Sequence, residues 1–289
     1  MSLLGEISAF LSLWDRFRNW SHKQKGKKSD SIASRFIQLF EVHGVYRNQI
    51  PRYFGHNIEL PDIHNEELLL LKLTDETLTA ACTHFAVRRE WLDGAETQAH
   101  PCHHFYKEPE QFADFIENLK RTNPDGQYRG VVVAPAKEHT RSEALFILQE
   151  MVGSIGDKAV YRYHLCDTWP LSYWKARTYL AACVAIAWKA KVFVHGTFTN
   201  EKKIKSISDG QTLLGWNGAG IWHFGSRQWD PEDMALRPEI FLRGLDPEQN
   251  NFGIHSGLSL WLELDKQGLM NTGLDKNPRP LFIEELAKY

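Results

Sequence analysis

The densest group of chemically capable side chains lies in the stretch HLCDTWPLSYWKAR, residues 164–177. Cys166 and Asp167 come at the carboxyl end of a predicted strand, which is where α/β folds place their ligands. Three aromatic residues suited to the walls of a pocket follow at Trp169, Tyr173 and Trp174. With Lys175 or Arg177 to hold an anion, we expect a site for a small planar or anionic effector. An aromatic edge of the core, with Asp167 as a helix cap, fits the same residues.

Cys166 also allows the hypothesis of a thiol nucleophile. Adjacent residues of a strand point to opposite faces, so the base would come from another element, and His195 at the end of a later predicted strand is the best candidate. The chain contains no GxSxG, HExxH or GxxxxGK[ST] motif, and no GxGxxG follows a predicted strand. An enzyme using Cys166 and His195 is therefore an alternative, and the sequence predicts no cofactor.

Metal-capable donors gather in AHPCHHFYKEP, residues 99–109. The H-x-C-H-H spacing is not that of a known ligand set, and no second cluster completes a tetrahedron, so we expect no metal site. The four cysteines are widely spaced and form no CxxC pair. Because Cys82 and Cys183 fall in predicted apolar helices, they are expected to be buried thiols in a reducing cytoplasm.

Side chains suited to nucleic acid occupy two stretches near the amino end. The first starts a predicted helix with Tyr46, Arg47, Asn48 and Gln49, and adds Arg52 one turn on. Arginine and the amides hydrogen-bond phosphates and base edges, although an ordinary polar helix surface has the same composition. The second stretch, HKQKGKKSDS, carries Lys25, Lys27 and Lys28. It is either a basic arm that reaches phosphate or the minor groove, or a solvated linker.

The elements that would position these residues are clearest in TDETLTAACTHFAVRREWLDG, residues 74–94. Thr74 or Asp75 can cap a helix whose apolar positions fall on one face. A short second helix follows, Trp91 and Leu92 fill the junction, and Gly94 ends it. This apolar helix followed by F-x-V-x-x-x-W-L-x-G resembles the last two helices of the phage-repressor (XRE, lambda-repressor-like) helix-turn-helix domain.

The residues before this segment extend the resemblance. SIASRFIQLFEVHG, residues 31–44, has the pattern of a first helix, and VYRNQIPRYFG, residues 45–55, aligns with the second helix of the family. The resemblance implies that the second helix contacts the DNA backbone. It also places His56 and Asn57 where the recognition helix enters the major groove.

The third helix departs from the family pattern. HNIELPDIHNEELLLLKL, residues 56–73, carries four acids, and carboxylates facing phosphate oppose binding. The four acids are Glu59, Asp62, Glu66 and Glu67. Either a short helix starts near Leu60 with its acids turned away from DNA, or the region makes no contact with DNA.

The second half of the chain predicts an α/β domain with a parallel or mixed sheet. β-Branched runs indicate strands at 128–136, 158–165 and 192–198, and apolar spacing indicates helices at 140–155 and 171–190. Two more helices are expected around 238–242 and 255–264. Residues 1–30 carry an amphipathic helix over Leu3 to Trp20 and the basic arm, 31–98 the helix-turn-helix domain, 99–127 a linker and helix, and 128–289 the sensor domain.

Composition limits the function. With 289 residues, a formal charge of −2 and 43% hydrophobic content, the chain is long enough for two domains and is not broadly basic, so any DNA contact is local. No apolar run is long enough to span a membrane, and no secretion signal is evident, which indicates a cytoplasmic protein.

The leading hypothesis is an α+β multidomain transcriptional regulator that binds DNA and senses a small-molecule or protein effector. A homodimer is expected because repressors of this type bind paired half-sites. The alternative is a protein-interaction module of phage, plasmid or defence systems that keeps the helix-turn-helix fold without binding DNA, and uses its acidic third helix as the contact surface.

Overall fold

The computed structural model describes residues 31–136, 143–247 and 253–289. The predicted helix over Leu3 to Trp20 and the lysines Lys25, Lys27 and Lys28 lie outside the described residues. In the described ranges the chain has a mixed α/β fold, in which a helical region precedes a four-stranded sheet and its covering helices.

Residues 31–98 form the N-terminal helical region. Its helices are α1 (Ile32–Val42), α2 (Ile50–Phe54), α3 (Leu60–His64), α4 (Glu66–Lys72), α5 (Asp75–Phe85) and α6 (Arg89–Leu92). Ser31 and Thr74 cap α1 and α5 by accepting the amide hydrogens of Ser34 and Thr77. The predicted helices over 31–44 and 74–94 are thereby confirmed.

The second predicted helix is shorter than expected. The structure has a 3₁₀ turn, Arg47–Gln49, before α2, because Gln49 folds its side chain back onto the amide of Tyr46. Pro51 suits the first turn of α2, and Gly55 ends it with a φ of +77°. His56 and Asn57 continue with positive φ, so they form a turn and do not begin the third helix, which starts at Leu60.

The sheet has the order β3-β2-β1-β4 and is mixed. Its strands are β1 (Tyr128–Pro135), β2 (Glu143–Ile155), β3 (Lys158–Pro170) and β4 (Phe193–Thr199). β2 runs antiparallel to both β1 and β3, whereas β4 runs parallel to β1. The predicted strands at 128–136, 158–165 and 192–198 are confirmed.

The helix predicted over 140–155 is wrong, because the described residues 143–155 are strand β2. Helix-forming leucines, alanine, glutamate and methionine gave this segment an apparent three- and four-residue apolar spacing. Ala144 to Leu148 are all buried, since β2 has a strand on each side and packed layers on both faces. A strand buried on both faces loses the alternating pattern that identifies strands in a sequence.

Helices cover both faces of the sheet. They are α7 (Pro109–Thr122), α8 (Trp174–Lys189), α9 (Glu201–Ser208), α10 (Asp233–Leu236), α11 (Pro238–Leu242), α12 (Gly253–Lys266) and α13 (Arg279–Leu286). The first face packs Val132, Phe146 and Val194 against α7, α8 and the C-terminal helices. The second face packs Val131, Ile147 and Leu165 against α9 and the 3₁₀ segment Gly220–Phe224. In the described ranges no helix is long and apolar enough to cross a membrane.

The helical region packs directly on β3, which is an edge strand of the sheet. Val160 of β3 is fully buried in the apolar cluster of the helical region. Lys158 donates to the carbonyl of Gly44, and Arg162 donates to the carbonyl of Thr83 at the end of α5. The boundary predicted at residue 98 therefore separates two parts that share a core and hydrogen bonds.

Glu150 is the centre of the buried polar contacts on the sheet. Its side chain is inaccessible to solvent and accepts hydrogen bonds from Arg162 at 2.7 Å through two nitrogens, from His164 at 3.0 Å and from Asn123 at 2.9 Å. Burial would raise the pKa of Glu150, but the hydrogen bonds from His164, Arg162 and Asn123 outweigh it and lower the pKa to about 2.

We predict that Glu150→Ala lowers the free energy of unfolding by about 3–5 kcal/mol, because it leaves the largely covered guanidinium of Arg162 without its counter-ion. Since the folded pKa lies below that of a free carboxyl, the contribution of Glu150 is complete above about pH 5 and is lost as the pH falls toward 2. Urea unfolding at pH 7 and pH 3 measures both effects. Asp114→Ala, at an exposed position of α7, is the control and should change stability by less than about 0.5 kcal/mol. An equally small loss in Glu150→Ala would contradict the assignment.

Candidate functional site

Exposed residues of the helical region occupy the positions predicted to bind DNA. Tyr46, Arg47, Asn48 and Arg52 are exposed, as are His56 and Asn57 in the turn after α2. Gln49 is half-buried and uses its side-chain oxygen to accept from the amide of Tyr46. His56 stacks on Phe54 with ring centroids 4.2 Å apart. The structure thus brings the predicted polar residues to one short stretch, but places His56 and Asn57 outside any helix.

Acidic partners neutralise most of the cations in this region. Residues 31–98 hold six Lys or Arg against ten Asp or Glu, a formal charge of −4. Four of the six form ion pairs: Arg47 with Glu41 at 3.7 Å, Lys72 with Asp62 at 4.0 Å, Arg88 with Glu96 at 2.7 Å and Arg89 with Asp75 at 2.7 Å. Arg35 donates to the carbonyl of Trp91. Within the described ranges this leaves Arg35 and Arg52 without an acidic partner, and of these two only Arg52 is exposed.

The four acids of the third helical segment divide into two roles. Asp62 is buried and accepts from the amide of Glu59, so it caps α3. The other three acids are exposed: Glu59, Glu66 and Glu67. Four leucines of the same segment are exposed as well: Leu71 by 77%, and also Leu60, Leu68 and Leu70. We call these seven exposed side chains the acidic leucine surface.

The residues just before α2, Gly44 and Tyr46, lie against residues of the C-terminal half. A side chain at Gly44 would lie 2.9 Å from the backbone of Gly218, and Lys158 bridges the carbonyls of Gly44 and Asn217. The Lys158 ammonium also sits 5.1 Å from the ring centroid of Tyr46. Residues 44–46, which lead into the helix predicted to contact the DNA backbone, therefore lie against the turn at residues 216–218.

A groove of about 720 Å³ opens between α2, α5 and β3. Tyr53, Phe54 and His56 line one side, Asp75 and Glu76 contribute carboxylates, and Thr83, His84 and Arg162 also line it. The Tyr53 hydroxyl hydrogen-bonds His84 at 2.8 Å. Burial, and then the nearby Arg162, lower the pKa of His84 to about 4, so its imidazole is neutral at pH 7. Aromatic side chains beside carboxylates suit a segment of another protein that is apolar and carries positive charge.

The residues predicted to form an effector pocket are largely core. Cys166, Trp169 and Arg177 are buried, and Trp169 donates to the carbonyl of Cys166. Arg177 donates to the carbonyls of Leu171, Ile240 and Phe241 and so ties α8 to the end of α11. These contacts match the interpretation of 164–177 as an aromatic edge of the core.

Three further residues of the predicted pocket lie at the margins of this core. Asp167 has a φ of +67° and accepts from the amide of Thr168, while His104 lies 3.4 Å from its carboxylate. Tyr173 and Trp174 are half-buried, and Trp174 packs against the core with its indole nitrogen unpaired among the described residues. Asp167 therefore satisfies the backbone inside β3, which continues to Pro170, and Cys166 and Asp167 do not lie at the carboxyl end of the strand as predicted.

The structure contradicts a catalytic pair of Cys166 and His195. Cys166 is on β3 and His195 on β4, at opposite edges of the sheet, and three strand spacings separate them by roughly 14 Å. They also face opposite layers, because Cys166 packs with α8 while His195 stacks on Trp222. Burial raises the pKa of the Cys166 thiol well above its usual value.

Among the described residues, no three histidines, cysteines or carboxylates gather to hold a metal ion. His100 is buried, and its Nε2 accepts from the amide of Leu214. His103 packs against Phe115, with ring centroids 4.6 Å apart. Cys102 is half-buried beside β3. The cluster at 99–109 thus joins the helical region to the sheet.

Sequence reasoning missed the residues that organise these surfaces. Glu150 and Arg162 carry charge within two long strands, and a charged residue inside an otherwise apolar strand was the available signal. Tyr53 and His84 belong to helices that were predicted, but their pairing depends on how α2 and α5 pack.

No family model, characterised protein or solved structure matches this chain.

We predict that Cys102 is the thiol that reacts in the native protein, because Cys82, Cys166 and Cys183 are buried. Labelling with a thiol reagent at pH 8 should modify about one group quickly, and Cys102→Ser should remove that phase. A rapid phase that persists in Cys102→Ser and disappears in Cys166→Ser would instead restore the hypothesis of a reactive Cys166.

Proposed function

We propose that this chain is a protein-interaction module whose N-terminal helical region, with a helix-turn-helix arrangement, binds a partner protein and not DNA. The observation that supports this most is the charge of residues 31–98, which is −4 with four of six cations already paired to acids. A DNA-binding surface gains its affinity from unpaired cations that displace counter-ions from phosphate. Here such cations are scarce.

The acidic leucine surface is the proposed contact. Four of the twelve large apolar side chains that are exposed in the described ranges fall within residues 60–71. Exposed apolar groups in one short stretch mark interaction sites, since covering them removes apolar area from water. The flanking carboxylates of Glu59, Glu66 and Glu67 favour a partner with cations around an apolar centre.

The groove beside α2 and α5 favours the same kind of partner. Asp75 and Glu76 supply negative charge, and the Tyr53, Phe54 and His56 side chains supply aromatic area. Arginine and lysine side chains of a partner would pair with the acids and lie over the aromatic rings. The groove and the acidic leucine surface therefore both favour a partner that carries cations beside apolar side chains.

DNA binding through α2 is the competing function, and Arg52 is the observation that favours it, because it is exposed and has no acidic partner in the described ranges. We predict that the double variant Arg47→Ala, Arg52→Ala leaves duplex affinity unchanged. Each lost phosphate contact lowers the slope of log affinity against log salt by about 1. Fluorescence anisotropy with a 20-base-pair duplex from 50 to 200 mM salt measures this slope. A decrease of about 2 in the double variant would establish the DNA function instead.

We further predict that a photo-crosslinking amino acid at position 71 forms a discrete protein adduct in cells, and that Leu60→Asp with Leu68→Asp removes that adduct by placing charge in an apolar contact. These leucines are exposed, so the thermal midpoint should stay within a few degrees of the parent protein. The matched control carries the crosslinker at position 281, another exposed leucine. An adduct with nucleic acid at position 71, or adducts of equal yield at 71 and 281, would refute the proposed contact.

A further inference from the structure

A second exposed surface lies at the start of β1 and β4, far from the helical region in the sheet order. Arg129 of β1 and Phe193 of β4 are register partners, and Phe193 is 57% exposed. Trp222 of the segment Gly220–Phe224 is 51% exposed and has the Arg129 guanidinium 5.7 Å from its ring centroid. We call Arg129, Phe193 and Trp222 the aromatic-cation surface.

His195 supports the exposed indole from below. Its ring stacks on Trp222 at 4.9 Å with an interplanar angle of 15°. The imidazole is more than nine-tenths buried, and its Nε2 has no hydrogen-bond partner among the described residues. Burial, followed by the charges of Arg129 and Arg227, lowers the pKa of His195. The stacked imidazole orients Trp222, and about half of the indole stays exposed to solvent.

The charge around this surface is the reverse of that in the helical region. Residues 189–228 carry six Lys or Arg against two Asp or Glu, a formal charge of +4, and one of the six, Arg227, is paired with Asp230 and Glu232 just beyond this range. α9 contributes Lys202, Lys203 and Lys205, and it packs on the same face of the sheet as Ile221 and Phe224. The Lys203 ammonium lies 5.2 Å from the ring centroid of Phe224. Exposed Arg129 has no acidic partner in the described ranges.

We propose that the aromatic-cation surface binds single-stranded nucleic acid. Bases would stack on Trp222 and Phe193, while Arg129 and the α9 lysines would pair with the phosphates. A duplex hides the faces of its bases, whereas a single strand exposes both the base face and a repeating negative charge. Aromatic rings beside cations match this alternation of base faces and phosphate charges. The carboxylates of an acidic protein would pair with the cations but would not stack on the exposed indole.

The test uses the full chain and a fluorescent thymidine 20-mer, with binding followed by anisotropy at 50 to 200 mM salt. Trp222→Ala should weaken binding roughly 5- to 100-fold, as expected for the loss of one stacked base. Trp222→Phe should restore most of the affinity because it keeps an aromatic face. Arg129→Ala should lower the magnitude of the salt slope by about 0.7. Tyr289→Ala, which removes another exposed aromatic side chain, is the matched control and should bind as the parent does.

Three results would overturn the proposal. The first is no binding of the 20-mer at 50 mM salt by a protein with the parent's thermal midpoint. The second is equal affinity for heparin and the 20-mer with no effect of Trp222→Ala, which would indicate charge attraction alone. The third is competition by thymidine monophosphate at a concentration equal to that of the 20-mer, which would assign the surface to a mononucleotide and not to a strand.

Discussion

Glu150 carries a negative charge into the interior of the fold, and the four hydrogen bonds it accepts from Asn123, Arg162 and His164 make that burial possible. These donors link Glu150 to three parts of the structure. Asn123 ends α7, His164 lies on β3, and Arg162 extends beyond the sheet to the last turn of α5. Through Arg162, this carboxylate helps to hold the helical region on the sheet, together with the buried Val160 and the hydrogen bond from Lys158 to Gly44.

With that position fixed, the two ends of the sheet present opposite chemistry. On the β3 side, the helical region exposes carboxylates and leucines, and pairs most of its cations internally. On the β4 side, the surface exposes Trp222 and Phe193 beside Arg129, which has no acidic partner among the residues that the structure describes. The nearly neutral total of −2 conceals this separation. A sequence that resembles a helix-turn-helix domain therefore need not carry nucleic-acid binding, because fold and function are set by different residues.

Local signals in the sequence predicted much of the fold. The cap at Thr74, the first helix over residues 31–44 and the β-branched runs of β1 and β4 each depend on nearby residues, and each appears in the structure. The failures required distant information. β2 has helix-forming residues and is a strand because β1 and β3 flank it, and Asp62 caps α3 while its neighbour Glu59 remains exposed. The predicted pocket at 164–177 contained suitable side chains, but the contacts of Arg177 with α11 lie more than sixty residues away and no spacing rule indicates them.

Hydrogen–deuterium exchange of the full chain with and without a saturating thymidine 20-mer tests most directly which of the two oppositely charged surfaces binds nucleic acid. It measures amide protection at both surfaces in one experiment. The account predicts slower exchange in peptides covering β4 and residues 216–224, with no change in peptides covering residues 45–72. Protection of residues 45–72 with none around Trp222 would contradict it, and would return nucleic-acid recognition to the helical region.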